Sequence, residues 1–146
     1  MTGFSSEKAV LVGLSGFFKG EEYVLEPNKI YVVGRSSSAD ISLKNTSRFK
    51  NLEEEGELLA KSFRRVSRRH FEITVKDNCE YADTSSQLKV RVKGSIKVII
   101  SSLASNSLKI DGREISRMII PELGKSAHEI TFGEDEKLKL FLRRNS

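Results

Sequence analysis

The sequence predicts an all-β domain, an antiparallel sandwich or barrel, on three observations. Short apolar runs with strand character recur along the whole of its 146 residues. Turn residues separate these runs at roughly regular spacing. Only one stretch, residues 45–65, breaks the pattern.

The strands follow in order. Ala9-Val10-Leu11-Val12 is a β-branched run, and Tyr23-Val24-Leu25 follows Gly20. Pro27-Asn28 supplies a turn before Ile30-Tyr31-Val32-Val33. Asp40-Ile41-Ser42-Leu43 alternates. Phe71, Ile73 and Val75 alternate with Glu72, Thr74 and Lys76, and residues 88–93 alternate as cleanly. Residues 96–100 come next, and Leu108-Lys109-Ile110 closes at Asp111-Gly112. Met118-Ile119-Ile120 stops at Pro121. Residues 129–132 and 137–142 finish the chain, with Leu138, Leu140 and Leu142 on one face. About eleven strands result. Residues 45–65 are too long and polar for a hairpin loop. Leu52, Leu58, Leu59 and Phe63 suit a turn or two of amphipathic helix interrupted by Gly56, so the stretch reads as a partly helical or mobile insertion.

Composition narrows the class. One domain is expected, residues 1–146, with its core over about 9–142. No apolar run approaches the roughly 20 residues of a membrane span. The N-terminus lacks a secretory pattern, and Cys79 is the single cysteine, so an intracellular setting is expected. With two histidines and one cysteine, no structural zinc set is available, and no metal or cofactor is expected. The net charge of +5 suits an anionic partner but does not choose among nucleic acid, phosphoprotein and plain solubility.

Three predicted loops concentrate unusual chemistry: Gly34-Arg35-Ser36-Ser37-Ser38, Arg64-Arg65-Val66-Ser67-Arg68-Arg69, and Ser105-Asn106-Ser107. Loops of a sandwich cluster at its two ends. If these three meet, they bring together guanidinium forks, hydroxyls and one carboxamide. Guanidiniums match phosphate oxygens in bidentate geometry, and an Asn side chain can hold a peptide backbone from both sides. That combination is a phosphate site with a peptide clamp beside it.

Taken in order, Val33-Gly34-Arg35-Ser36, Ala39-Asp40-Ile41-Ser42-Leu43, Ser67-Arg68-Arg69-His70, Ser105-Asn106 and Ile110-Asp111-Gly112 resemble the forkhead-associated (FHA) domain, and Glu129-Ile130-Thr131-Phe132-Gly133 resembles its last-but-one strand. The resemblance runs from about Ala9 to Leu142. It implies an eleven-stranded β-sandwich that binds phosphothreonine in a flexible segment of a partner protein. By the same resemblance, Arg35, Ser67 and Arg68 contact the phosphate. Asn106 holds the peptide backbone with Ser105 beside it, and Gly34 and His70 keep the loops in shape. Arg65 falls on the loop with which the family reads residues after the phosphothreonine. Two features depart from the family: Ser107 and Leu108 stand where glycine and threonine are usual, and the 45–65 insertion is long. Checkpoint-kinase FHA modules carry a similar insertion. The implied setting is therefore nuclear kinase signalling of the DNA-damage or meiotic checkpoint type. Separately, the chain is expected to be a monomer and one module of a larger protein.

Other readings stand beside this one. Arg69 suits a solvated charge, and Asn106 an ordinary turn residue. Ser67 and His70 have a hydrolase-like spacing, but no orienting acid accompanies them. No nucleotide loop, metal cluster or carboxylate pair is present, so the chain is read as a binding module and not an enzyme. The alternatives are a basic nucleic-acid-binding β-domain, whose aromatics would lie on strand faces, and a structural docking module without phosphopeptide binding. Neither nucleic acid nor membrane is the expected partner.

Overall fold

The computed structural model describes residues 6–51, 64–77, 80–83, 89–93, 96–105, 107–124, 126–133 and 136–145. Its strands are β1 (Ser6–Ser15), β2 (Glu22–Leu25), β3 (Ile30–Gly34), β4 (Ile41–Ser42), β5 (Phe71–Asp77), β6 (Glu80–Asp83) and β7 (Lys89–Lys93). They continue with β8 (Ile96–Ser102), β9 (Leu108–Ile110), β10 (Arg113–Glu114), β11 (Arg117–Ile120), β12 (His128–Phe132) and β13 (Glu136–Asn145).

Two sheets form the sandwich. The six-stranded sheet has the order β10-β9-β12-β13-β1-β2, and the five-stranded sheet the order β11-β8-β5-β3-β4. β6 and β7 make a separate two-stranded ribbon. The expected sandwich of about eleven strands is therefore present in its two main sheets.

Alternation decides which side chains meet between the sheets. Phe71, Ile73 and Val75 of β5, Val98 and Ile100 of β8, and Leu138 and Leu140 of β13 all point into one buried cluster. Each such side chain contributes about 1.5–3 kcal/mol when fully buried. The rings of Phe18, Phe71 and Phe132 form its aromatic centre, with Phe71 and Phe132 edge-on at 5.1 Å.

Not every pairing is antiparallel. β3 and β4 run parallel, with Val33 opposite Ile41 and Gly34 opposite Ser42. The loop between them is held by Asp40, whose carboxylate accepts the Val32 N–H at 2.8 Å. That bond turns the chain back alongside β3 and so fixes where residues 35–39 stand.

The 45–65 stretch begins with a short helix, α1 (Ser47–Asn51). Thr46 caps it: its hydroxyl accepts the Phe49 N–H at 3.2 Å and donates to the Leu43 carbonyl at 2.8 Å. Phe49 lies edge-on against Phe17 at 6.1 Å. Residues 52–63, and with them Leu52, Leu58, Leu59 and Phe63, lie outside the described residues.

Candidate functional site

Two of the three predicted loops pair directly through their backbones. The Arg35 N–H donates to the Ser67 carbonyl at 3.0 Å, and the Ser36 N–H donates to the Arg68 carbonyl at 3.1 Å. The His70 N–H then donates to Val33 at 2.9 Å, where β5 begins to pair with β3. Gly34 makes this approach possible. A Cβ on it would lie 2.2 Å from the Arg68 carbonyl oxygen, far inside contact distance.

Arg35 is positioned by its own loop's partner. Its Nε donates to the Val66 carbonyl at 2.8 Å, and the residue is half-buried. Val66 itself is fully buried, so the acceptor is rigidly placed. Ser36 and Ser38 tighten the same turn: their hydroxyls are 2.8 Å apart, and the Ser38 N–H donates to Ser36 Oγ at 3.1 Å. Ser67 is half-buried, whereas Arg64, Arg65, Arg68 and Arg69 are exposed. Arg68 and Arg69 have no ion-pair partner among the described residues. The result is a pinned Arg35 guanidinium whose loop pairs through its backbone with Ser67 and Arg68, on a segment that also carries four exposed arginines.

His70 joins the third loop to the other two. The Ser67 N–H donates to its Nδ1 at 3.1 Å. An N–H can only donate, so Nδ1 is the acceptor and Nε2 carries the proton. Nε2 then donates to the Ser107 carbonyl at 3.0 Å. The His70 carbonyl accepts the Leu103 N–H at 2.9 Å, so both ends of the 103–107 segment are tied to this one residue. The imidazole is fully buried, edge-on against Phe132 at 5.3 Å. Burial pulls its pKa below the usual histidine value, and the Ser107 carbonyl opposes that only in part.

The predicted residues thus gather as follows. Gly34, Arg35, Ser67, Arg68 and His70 form one connected unit. Arg65 projects from the same segment and is exposed. Ser105 is exposed on the third loop, whose end at Ser107 His70 fixes. Asn106 lies outside the described residues. Sequence reasoning missed Val66 and Asp40 as positioning residues, and it missed the Ser107 carbonyl. The signal for Val66 was available: it is a lone β-branched residue inside a run of arginines.

Comparison with known proteins bears on the family and the fold. The model of the FHA domain family matches residues 31–133. No curated relative matches the chain. Among solved structures, the chain is similar to the FHA domain of the CT664 protein from Chlamydia trachomatis, with 20% identity, a TM-score of 0.57, and coverage of 92% of this chain and 96% of that one. It is also similar to the FHA domain of an Arabidopsis thaliana hypothetical protein, with 16% identity, a TM-score of 0.57, and coverage of 93% and 86%. A third similar fold is the N-terminal FHA domain of Rad53p from S. cerevisiae, solved in complex with a phosphothreonine peptide. There the identity is 15%, the TM-score 0.53, and the coverage 93% and 94%.

Proposed function

The chain belongs to the FHA domain family, and from that premise we propose that it binds a phosphothreonine-containing segment of a partner protein at the loop end of its sandwich. FHA domains are phosphothreonine-peptide binding modules. The observation that carries the reading is the backbone pairing of residues 35–36 with residues 67–68, which sets Arg35 beside Ser67. In this reading Arg35 anchors the phosphate, Ser67 donates to it and Arg68 adds charge. Asn106, with Ser105, holds the peptide backbone. Charge-assisted bonds from a guanidinium already held in place cost little ordering on binding.

We further infer a setting in nuclear checkpoint kinase signalling, with the chain one module of a larger protein. The supports are the long insertion, which resembles that of checkpoint-kinase modules, and the likeness to the Rad53p domain.

Basic nucleic-acid binding is the weaker reading. Phe17, Phe18, Phe71 and Phe132 are buried in the core and so are not available to stack on bases.

Titration against a degenerate phosphothreonine peptide library, with the unphosphorylated library as control, tests the proposal. Selective capture of phosphorylated members with a shallow salt dependence is expected. Equal capture of both libraries would overturn it, and a steep salt slope with nucleic acid would favour the alternative.

A further inference from the structure

The outer face of the five-stranded sheet carries side chains that the loop-end site does not use. Three rows cross it. The middle row runs Ile119, Ile99, Thr74, Ile30 over β11, β8, β5 and β3, each residue directly opposite the next. Ile30 is 56% exposed and Ile119 is 44% exposed, although strand isoleucines of this kind are normally buried. The row nearer the loops runs Arg117, Ser101, Glu72, Val32. The far row sets Lys76 of β5 directly opposite Lys97 of β8.

The charges on this face are unspent. Among the described residues, Glu72, Lys76, Lys97 and Arg117 have no ion-pair partner. Like charges directly opposite one another weaken a sheet, so an incoming carboxylate beside Lys76 and Lys97 would relieve a cost. Glu72 cannot serve within its own chain. It lies four residues from Lys76 on the same strand, about 13 Å away.

We propose that this face stacks on the same face of a second copy of the chain, with the two-fold axis lying along the isoleucine row. Rotation about that axis reverses the strands of the second copy. The far row of each copy then covers the loop-side row of the other. On β5, Lys76 of one copy meets Glu72 of the other, and the contact occurs twice, as an isologous interface requires. The isoleucine row is buried against its own image. A two-fold axis along the strands would instead set lysine row on lysine row, and charge excludes it. Face-to-face sheets pack about 10 Å apart with strands within about 30°, a geometry this arrangement meets. The face is only four strands wide, so the dimer is weak and the dilute chain remains the monomer its sequence suggests. Because the strands are reversed, the two loop ends point in opposite directions and both stay open.

Sedimentation velocity from about 5 µM to about 500 µM tests this, a range chosen to span weak association. The average mass of the natural chain should rise from monomer toward dimer. Ile119→Asp and Ile30→Asp should each keep it monomeric. Lys76→Glu alone and Glu72→Lys alone should each weaken the dimer by about tenfold or more. Both reversals in one chain should restore it to within about threefold, because the pair then re-forms with opposite sense. A melting curve for each variant shows that it is folded, and the charge pair decides the matter should an aspartate variant fail to fold. A natural chain that stays monomeric at the highest concentration would overturn the proposal. So would a dimer indifferent to Ile119→Asp and Ile30→Asp, or a double reversal no stronger than either single one.

Discussion

The backbone N–H of Ser67 donates to Nδ1 of His70 across 3.1 Å, and that bond makes the histidine the joint between two loops at one end of the sandwich. With Nδ1 occupied as an acceptor, the proton must sit on Nε2, which reaches the Ser107 carbonyl. The loop that supplies Ser67 and the loop that ends at Ser107 are therefore held by one neutral, buried ring.

His70→Ala should lower stability before it touches recognition. It removes a packed ring and strands the Ser67 N–H and the Ser107 carbonyl. The Ser107 carbonyl sits on an exposed residue and can turn to water, so the lost buried ring and the half-buried Ser67 N–H carry most of an expected loss of about 2–5 kcal/mol. Denaturant unfolding measures it. A variant that unfolds like the natural chain yet cannot bind would make His70 a ligand and not a brace.

The same ring predicts a pH dependence. Burial lowers the folded-state pKa of His70 beneath its unfolded value of about 6.5. Between those two values the unfolded chain binds more protons, so stability rises with pH across that window. It should be complete above about pH 6.5, fall as pH drops below it, and level off once the folded ring itself protonates. Asp111, held low by the Glu129 N–H and His128 against its own desolvation, acts in a separate window. Its contribution is present above its unfolded pKa and is lost only below about pH 4. Melting temperatures from pH 5 to 8 cover the window of this ring, and the slope should be shallower in His70→Gln by the share that belongs to it.

Gly34→Ala should injure the site without altering a single proposed ligand. The new Cβ would meet the Arg68 carbonyl at 2.2 Å, and both groups belong to backbone that cannot swing aside. The 66–70 segment must move off β3, separating Arg35 from Ser67. A stability loss of about 1–3 kcal/mol is expected, as for other overpacked sites, together with weakened phosphopeptide binding. Unchanged affinity would show that the close approach does not matter to recognition.

Much of this architecture is legible in the sequence because burial leaves a period of two. Phe71, Ile73 and Val75 announce β5, and Leu138 and Leu140 announce β13. The polar pieces leave no such trace. β10 is only Arg113–Glu114, both exposed, and exists because β9 offers an edge. β1 extends to Ser6 and Ser15, well beyond its apolar run, because β13 pairs with its polar ends. At the site, the motif side chains were visible, but the acceptors that aim them were not. The carbonyls of Val66 and Ser107 belong to the backbone, and no residue type advertises them.

Arg65 offers a test of specificity. It is exposed, so any pairing with an acidic peptide residue three positions after the phosphothreonine should be worth about 0.2–1 kcal/mol and should fade with salt. A double-mutant cycle crossing Arg65→Ala with acidic-to-alanine at that peptide position reads the coupling directly. Zero coupling would remove Arg65 from the specificity surface and leave the phosphate site intact.

In the proposed function Arg35, held by Val66, is the anchor for a phosphate. Isothermal titration of the natural chain and of Arg35→Ala, each with one phosphothreonine peptide and its unphosphorylated twin, tests it most directly. Losing the bond to Val66 should cost about 1–3 kcal/mol of stability and leave the domain folded. Losing the phosphate partner should cost about 2–5 kcal/mol of binding, about thirtyfold or more in affinity. The natural chain should bind only the phosphorylated peptide, and folded Arg35→Ala should scarcely bind it. Equal affinity of the natural chain for both peptides, or full affinity in Arg35→Ala, would contradict it.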